Sequence, residues 1–524
     1  MQRTPALTLT NAAACSLADV PEQAAEPFRD DVISRVARGA QIGALFGSPL
    51  ANDSDHVRLY AVLLEPATAT LRLLSTVVGD RYPALTPDCP AAHLFECELA
   101  EQWGVVPEGH PRLLPVRFQR SGRAGRDAWR RAADAPIAPG VTDFFRVEGD
   151  EIHEVAVGPI HAGVIEPGHF RFQCLGEQVL YLQIALGYQH RGVERALVGG
   201  PNPRTLHYVE TLAGDTTVGH ALAYCQAYEA LRGIEPPPRA QVLRGIALEL
   251  ERLANHTGDL GALAQDVGYL PTAAFCGRLR GDFLNATAAI CGNRFGRSLV
   301  RPGGVRWDIE HERAATLKRQ VAAALADVQA SAQLLWDSVS VQARFEDTGR
   351  VDAEAARQLG LVGPPARACG IPFDARTDFP SGIYRLHHIP VATWNTGDVF
   401  ARAYVRALEI QRSGQFVQSA LEHLPRGALC AEPAPSGSTS PAASSLPANS
   451  LPADSLAVSL VEGWRGAICH VVLTDSAGRI ARYKVVDPSF HNWSGLALAL
   501  RGQEISDFPL SNKSFNLSYC GHDL

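Results

Sequence analysis

Residues 158–195 read GPIHAGVIEPGHFRFQCLGEQVLYLQIALGYQHRGVER, and the pattern of the whole chain changes around this stretch. With the residues just before it, from 151 to 186, it favours a short β segment. GYQHRGVER (187–195) then follows as a turn bounded by glycines. Long helical periods come next, at 214–232, 236–264, 272–292, 309–340 and 397–424. The sequence therefore predicts a mainly α-helical domain with small β elements from residue 151 onward.

A different pattern precedes this domain. Residues 56–76 show two apolar runs around a Glu-Pro break, which predicts two paired strands. Residues 83–118 predict a proline-rich turn and a short helix that ends near Gly104. We therefore predict a compact α+β domain over residues 1–120. Residues 121–150 are predicted to be a connector, whose arginine-rich start is interpreted as a solvated helical link. The fold class is α+β.

Composition excludes several classes of function. A chain of 524 residues exceeds the ~250–300 at which single cores stop growing, so at least two domains are expected. A formal net charge of -7 without a basic stripe argues against nucleic-acid binding. Its 11 cysteines include no C-x-x-C pair, which argues against a self-contained zinc or iron-sulfur site. The sequence shows neither a membrane span nor a convincing secretory signal, so we expect a cytoplasmic protein.

One stretch of the second domain has low complexity. Residues 431–460 read AEPAPSGSTSPAASSLPANSLPADSLAVSL, and they are predicted to form a flexible surface insertion. Residues 461–486 then alternate as strands do, and they predict a hairpin that turns at Ser476, Ala477 and Gly478.

Three stretches carry a family resemblance: the opening one (158–195), GLVGPPARACGIPFDAR (360–376) and DPSFHNWSGLALALRGQEISDFPLSNKSFNLSY (487–519). They resemble the large subunit of membrane-associated nickel-iron hydrogenases of the formate hydrogenlyase type, a family related to the 49-kDa subunit of complex I. HLFECELAEQWGVVPEGHPRL (93–113) resembles the 30-kDa subunit of complex I, which formate hydrogenlyase carries fused ahead of its large subunit. The resemblance covers nearly all of the chain apart from the 431–460 insertion and the first few dozen residues.

The resemblance implies a nickel-iron centre held by two C-x-x-C pairs, but the matching positions have no cysteine. The first pair falls on Ala213 and Thr216, and the second falls on Ser518 and Gly521. Cys520 lies one residue out of register. Because soft metals need several converging thiolates, we predict that this chain binds no metal there.

Quinone chemistry, which the resemblance to complex I implies, also lacks its residues. The family's quinone-site histidine falls on Ile165, and its tyrosine falls on Gly214. Standard quinone reduction is therefore not expected, although a quinone stays among the candidate ligands.

Other family residues are retained. Glu166 resembles the proton-relay glutamate of active hydrogenases, and Arg367 resembles the arginine that overhangs the metal pair, with Asp374 beside it. They predict either a proton relay or a fixed ion pair. His161 and His169 flank the Glu166 loop and are interpreted as ligands or, more commonly, as hydrogen-bonded scaffold.

We also expect one shared, metal-free cavity. Its predicted lining residues are His161, His169, Ala213, Thr216, His220 and Ser518, with Glu166 beside them. Separately, ELERLANHTGD (249–259) places polar side chains on one helix face, which predicts a polar wire or, more commonly, an interhelical salt-bridge cluster.

The resemblance implies the large subunit of a membrane-associated, complex I-like oxidoreductase complex that couples electron transfer to proton or ion movement, here with its nickel-iron site lost. Two alternatives are a subunit of an NADH-quinone oxidoreductase, with quinone and NAD(H)-linked electron transfer, and a purely structural assembly subunit. The expected partners are a small iron-sulfur subunit that resembles the 20-kDa subunit of complex I and carries the cluster, together with integral membrane subunits. No cofactor is expected on this chain, which would lie at the inner face of the cell membrane through its partners.

Overall fold

The computed structural model describes residues 6–50, 53–132, 134–163, 165–431 and 450–524. In its N-terminal part the elements are β1 Leu7–Leu9, β2 Ala13–Ser16, β3 Glu22–Gln23, α1 Ala25–Ala37, β4 Gln41–Leu50, β5 Asp53–Glu65, β6 Thr70–Val78, β7 Arg81–Pro83, α2 His93–Trp103 and β8 Val106–Glu108. The main sheet has the order β1-β6-β5-β4, and the short β3 also pairs with β6.

This N-terminal sheet confirms the predicted strand pair. β5 and β6 run antiparallel, and Glu65 lies opposite Thr70 across the turn that begins at Pro66. The predicted helix is α2, which ends at Gly104 with a positive φ of 64°. Only glycine adopts that left-handed conformation without strain, so the chain stops the helix there.

The connector differs from its prediction. The described residues between Glu108 and Ile152 form no helix or strand, so the arginine-rich start is not a helical link. Arg123 is buried and donates to the backbone carbonyl of Asp55 at 2.6 Å. Arg126 pairs with the Asp55 carboxylate at 3.1 Å. These arginines therefore attach the connector to the N-terminal sheet. Such contacts do not require the connector to be helical.

The second part is mainly helical, as predicted. Its elements are β9 Ile152–Val157, β10 His169–Leu175, β11 Gln178–Ala185, α3 Val193–Leu197, α4 Thr205–Glu210, α5 Thr217–Arg232, α6 Pro238–Asp266, α7 Leu270–Cys291, β12 Val300–Arg301, β13 Gly304–Val305, α8 His311–Trp336, α9 Val339–Phe345, α10 Ala353–Gln358, α11 Gly363–Ala368, α12 Ala375–Asp378, α13 Val399–Glu422, β14 Ser455–Gly463, β15 Gly466–Thr474, β16 Ile480–Val486, α14 Pro488–Ala499, α15 Phe508–Phe515 and α16 Tyr519–Asp523.

The long predicted helices correspond to α5, α6, α7, α8 and α13. Of these, α6, α7, α8 and α13 pack into a bundle. The helix predicted over 309–340 is broken, because α8 ends at Trp336 and α9 begins at Val339. Ser338 between them has extended backbone angles, which a continuous helix cannot contain.

A second sheet lies against α5 and corrects the predicted insertion. Its order is β16-β15-β14-β2, and β14 occupies residues 455–463, inside the stretch predicted to be a flexible insertion. From Leu456 to Gly463 every residue of β14 is buried, so this end of the stretch belongs to the core. Residues 432–449 lie outside the described residues. The predicted hairpin is confirmed as β15 and β16, which turn between Thr474 and Ile480.

The two parts of the chain share one apolar core. One cluster of buried side chains contains Leu59 of β5, Phe172 of β10, Leu460 of β14 and Trp493 of α14. In addition, β2 from the N-terminal part pairs with β14. The core is therefore continuous across residue 120, where the sequence predicts a domain boundary. That division into domains stays a prediction.

Candidate functional site

The loop around Glu166 meets the C-terminal segment at the surface of the second part. The half-exposed carboxylate of Glu166 accepts hydrogen bonds from the backbone N–H groups of Tyr519 and Cys520, each at 3.3 Å. These groups open α16, whose first N–H groups have no partner inside the helix. Ser518 caps the same helix, because its Oγ accepts from Gly521 N–H at 2.9 Å. Glu166 therefore anchors the segment that contains Ser518 and Gly521, the positions that match the family's second cysteine pair.

The loop 187–195 holds the other side of that segment. The guanidinium of Arg191 donates to the backbone carbonyls of Leu212 and Cys520, both at 3.0 Å. The backbone N–H groups of Gly187 and Gln189 donate to the Asp523 carboxylate at 2.8 and 2.9 Å. One arginine thus joins the 211–217 turn to the 518–523 segment.

Ala213 and Thr216, the positions that match the family's first cysteine pair, lie in that turn. Both are buried. Ala213 is 0% exposed and Thr216 is 1% exposed. Arg465 forms two hydrogen bonds with the Asp215 carboxylate, at 2.6 and 2.8 Å, and donates to the Asn516 carbonyl at 2.6 Å. Arg465 therefore ties the turn to the residues just before Ser518. Sequence reasoning missed it, because no motif connects positions about 250 residues apart.

His220 continues this contact into the interior. Its Nε2 lies 3.0 Å from Asp487 Oδ2, and its Nδ1 lies 3.1 Å from His470 Nε2. His470 Nδ1 in turn lies 2.8 Å from the Tyr483 hydroxyl. Burial lowers the pKa of His470 well below its usual value, so this ring is neutral. Burial raises the pKa of Asp487, but the hydrogen bond from His220 and the charge of Arg465 outweigh it, so the net pKa is lowered.

Glycine at position 521 leaves no space for water. A Cβ atom there would lie 2.7 Å from Cγ of Asp487 and 2.9 Å from Oγ of Ser518. The predicted metal-free cavity therefore does not extend to this position. Gly214 is the opposite case, because it is exposed and a Cβ atom there would have no neighbour within 4 Å. Glu166, the 211–217 turn and the 518–521 segment meet in a packed base, with an open mouth at Gly214, Glu166 and Cys520.

The side chains at the four predicted metal positions do not fit a nickel-iron pair. They offer a methyl group, two hydroxyls and a hydrogen atom, and both hydroxyls are already hydrogen-bonded, to Asp215 and Gly521. Cys520 is the nearest thiol in sequence. Burial and the neighbouring carboxylate of Glu166 raise its pKa to about 12, so it remains protonated. Cys225 is fully buried in α5.

Arg367 and Asp374 belong elsewhere. Arg367 lies 2.8 Å from both the Glu409 and the Glu462 carboxylates and 3.7 Å from Asp374. Asp374 also pairs with Arg376 at 2.6 Å. Within the described part of the chain, none of these groups contacts Glu166. The proposed relay of Glu166, Arg367 and Asp374 is therefore not assembled, because the last two are fixed in an interior ion-pair network.

The polar face of α6 belongs to the same network. Arg252 pairs with Glu249 at 3.0 Å, and His256 Nε2 lies 2.9 Å from the Glu409 carboxylate of α13. Asp259 pairs with Arg406 of α13 at 2.7 Å. The face thus forms the salt-bridge cluster between helices that was the commoner expectation.

The two loop histidines act as scaffold. His161 Nε2 lies 2.9 Å from the Gly168 carbonyl, and His169 packs edge-on against Phe144. Burial lowers the pKa of His169. Both hold the Glu166 loop in shape. At the two quinone positions the structure has exposed residues without a suitable group, Ile165 and Gly214.

Comparison with known proteins agrees with this geometry. Residues 266–523 match the family described as the respiratory-chain NADH dehydrogenase 49 Kd subunit. Formate hydrogenlyase subunit 5 of Escherichia coli (strain K12) is 28% identical, over 92% of this chain and 84% of that protein. Membrane-bound hydrogenase subunit alpha of Pyrococcus furiosus is 31% identical, over 69% of this chain and 85% of that protein.

A solved structure shows the same fold. It is a chain of the membrane-bound sulfane sulfur reductase, an archaeal respiratory membrane complex, with a TM-score of 0.65 and 22% identity. The match covers 71% of this chain and 99% of that one. Fold and site together define a large subunit of the hydrogenase type. More particularly, the chain belongs to the family that contains the complex I 49-kDa subunits and the large subunits of formate hydrogenlyase and membrane-bound hydrogenases.

Proposed function

We propose that this chain is the large subunit of a membrane-associated, complex I-like oxidoreductase complex whose nickel-iron centre has been lost. The observation that supports this most strongly is the convergence of Glu166, the 213–216 turn and the 518–521 segment without a thiolate at the four ligand positions. The relatives' names describe formate hydrogenlyase, membrane-bound hydrogenase and NADH-quinone oxidoreductase subunits.

In this proposal the converged segments serve as a docking surface. The open mouth at Gly214, Glu166 and Cys520 receives the small iron-sulfur subunit, and the packed base beneath it keeps the surface rigid. Across the residues that the structure describes, no helix has the length and apolar character needed to cross a membrane. Attachment to the membrane is therefore assigned to integral membrane partner subunits.

Neither electron transfer through a quinone nor a nickel-based step is assigned to this chain. Position 165 has no imidazole and position 214 has no phenol, so the arrangement does not favour the NADH-quinone alternative. Glu166 is the one predicted relay residue at the mouth. Its proposed role is to fix α16 against the partner.

The docking surface is tested with Gly214→Arg. A Cβ atom at this position would have no neighbour within 4 Å and the position is exposed, so we expect the fold to tolerate the arginine while its side chain fills the mouth. We expect at least a ~10-fold loss of affinity for the small iron-sulfur subunit, because a charged side chain would be buried at the interface without a partner. Co-purification and titration with that subunit measure it.

Gly277→Arg is the matched control. Gly277 is an exposed glycine of α7 that likewise has no neighbour within 4 Å of an added Cβ atom. This variant is expected to bind the small subunit as the unmodified chain does. Equal binding by Gly214→Arg and the unmodified chain would contradict the proposed docking surface.

A further inference from the structure

Three metal-ligating side chains meet in the N-terminal part, and none of them belongs to the site described above. His93 begins α2, Cys97 lies one helical turn later, and His110 lies in the loop after β8. Residues four apart on a helix face the same side. His93 Nδ1 lies 3.2 Å from His110 Nε2 and 4.0 Å from Cys97 Sγ. The three ligand atoms all lie within 4.8 Å of one another.

The two separations from His93 Nδ1 are near those around a tetrahedral ion. With metal–nitrogen bonds of ~2.0–2.1 Å and a metal–sulfur bond of ~2.3 Å, two nitrogens lie about 3.3 Å apart, and a nitrogen lies about 3.6 Å from the sulfur. The observed nitrogen pair is within a few tenths of an ångström of that value. The sulfur needs a modest shift toward the rings. Imidazole and thiolate together suit zinc(II) better than magnesium or calcium.

Room for a fourth ligand lies beside the cluster. His93 lines a cavity of about 140 Å³ whose wall also contains Leu114 and Trp493. That volume exceeds the ~30 Å³ share of one water. The Arg112 carbonyl lies 4.0 Å from Cys97 Sγ and is a second candidate. The site also has an entry path, because Glu108, Gly109 and Pro111 beside His110 are exposed.

We propose that His93, Cys97 and His110 bind one zinc(II) ion, with water or the Arg112 carbonyl as the fourth ligand. This site goes beyond the proposed function, because neither the nickel-iron positions nor the docking surface contributes to it. One local change accompanies binding. The Arg112 N–H now donates to His110 Nδ1 at 3.2 Å, and an ion on Nε2 moves the ring proton to Nδ1. The exposed loop must therefore release that hydrogen bond.

The site has a structural consequence for the contact between the two parts of the chain. Arg112 donates to the Tyr181 hydroxyl at 3.2 Å and to Gln183 Oε1 at 2.7 Å, both in β11. An ion that joins the 110–112 loop to α2 holds this arginine in place. Zinc is therefore expected to stabilise the packing of the N-terminal part on β11.

The test is a zinc titration of the full chain after treatment with a chelator, followed by competition with a coloured chelator. We expect one zinc per chain and a higher Tm when zinc is added. Cobalt(II) is expected to give a thiolate-to-cobalt charge-transfer band. His110→Asn is expected to weaken the affinity by more than ~100-fold, since the loss of residues that only support a ligand already costs ~10–100-fold. Cys97→Ser is expected to abolish the cobalt band.

His56→Asn and Cys369→Ser are the controls, an exposed histidine and a buried cysteine outside the cluster. Both are expected to keep the affinity and the cobalt band. His110 is on a loop, so its variant remains informative even if Cys97→Ser fails to fold. Zinc binding that survives His110→Asn unchanged would overturn the proposal, as would a chain that takes up no zinc.

Discussion

Gly521 stands where the family resemblance places a metal-binding cysteine, and its surroundings have closed over that position. A Cβ atom there would lie 2.7 Å from the Asp487 carboxylate carbon. We expect Gly521→Cys to lower the free energy of unfolding by about 1–3 kcal/mol through overpacking. Urea denaturation measures this change. The control is Gly214→Cys, which has no neighbour within 4 Å and is expected to stay within ~0.5 kcal/mol. An equally stable Gly521→Cys would show that the position can still accept a cysteine.

The buried carboxyl of Glu251 contributes to the pH dependence of the free energy of unfolding. Its carboxyl accepts from the N–H groups of Val218 and Gly219 at 2.7 and 3.2 Å, and burial raises its pKa from 4.5 to about 8. The folded chain thus holds a proton that the unfolded chain releases above about pH 4.5. The contribution of this carboxyl to the free energy of unfolding should therefore fall as the pH rises from about 4.5 to about 8.

Glu251→Gln removes this titration. Over the same pH range, we therefore expect a less negative slope of the free energy of unfolding against pH than in the unmodified chain. Chemical denaturation at several pH values measures it. Glu354→Gln, at an exposed position of α10, serves as the control and should follow the unmodified chain. An unchanged slope for Glu251→Gln would mean that this carboxyl is already ionised in the folded protein.

At the residue scale, the sequence located the converging positions but not what holds them. The family resemblance implied that Glu166, Ala213 and Ser518 lie together. It gave no sign of Arg465 or Asp487, because their partners Asp215 and His220 lie about 250 residues away along the chain. It placed Arg367 beside Asp374, which the structure confirms, but it also grouped Arg367 with Glu166. The interior partner Glu409 was missed, since such a carboxylate carries no local signature.

Among the elements, one buried amide reinforces the join between the N-terminal segment and β14. Asn11 donates to the carbonyls of Phe379 and Leu460, at 2.7 and 3.0 Å, and accepts from Leu460 N–H at 2.8 Å. Asn11→Ala leaves these backbone groups without partners, so we expect a loss of about 1–3 kcal/mol in the free energy of unfolding. Thr10→Ala, at an exposed position, should change it by less than ~0.5 kcal/mol. If both variants lost equally little stability in denaturant titrations, water would have to replace these contacts.

The helices were the easiest elements to predict and β14 was the hardest. An amphipathic helix repeats its apolar positions every three or four residues, which made α6 and α13 visible. β14 follows a Pro/Ala/Ser-rich repeat, and its burial on both faces removes the alternation that marks a strand. The connector failed as a helix because Arg123 packs against the sheet, a contact that local periodicity does not reveal.

For the whole molecule, a buried charge cluster fastens the N-terminal part to the second sheet. Lys484 of β16 lies 2.6 Å from the Glu98 carboxylate of α2, and both are buried. Lys484→Met should cost about 3 kcal/mol, the lower end of the ~3–5 kcal/mol range for breaking a buried pair, because Arg117 still pairs with Glu98. Scanning calorimetry should show one transition at a lower Tm, since the core is continuous.

Lys318→Met is the matched control. Lys318 forms an exposed pair with Glu422, so its loss should cost no more than ~1 kcal/mol. If Lys484→Met instead produced two separate transitions, the two parts of the chain would be independent folding units.

In the proposed function, this member of the family keeps its place in the complex after losing the metal centre. Elemental analysis of nickel and iron in the native complex, isolated through this chain, tests the claim most directly. We predict iron from the partner's cluster but no stoichiometric nickel, because positions 213, 216, 518 and 521 have no thiolate. Nickel close to one atom per chain would contradict the account.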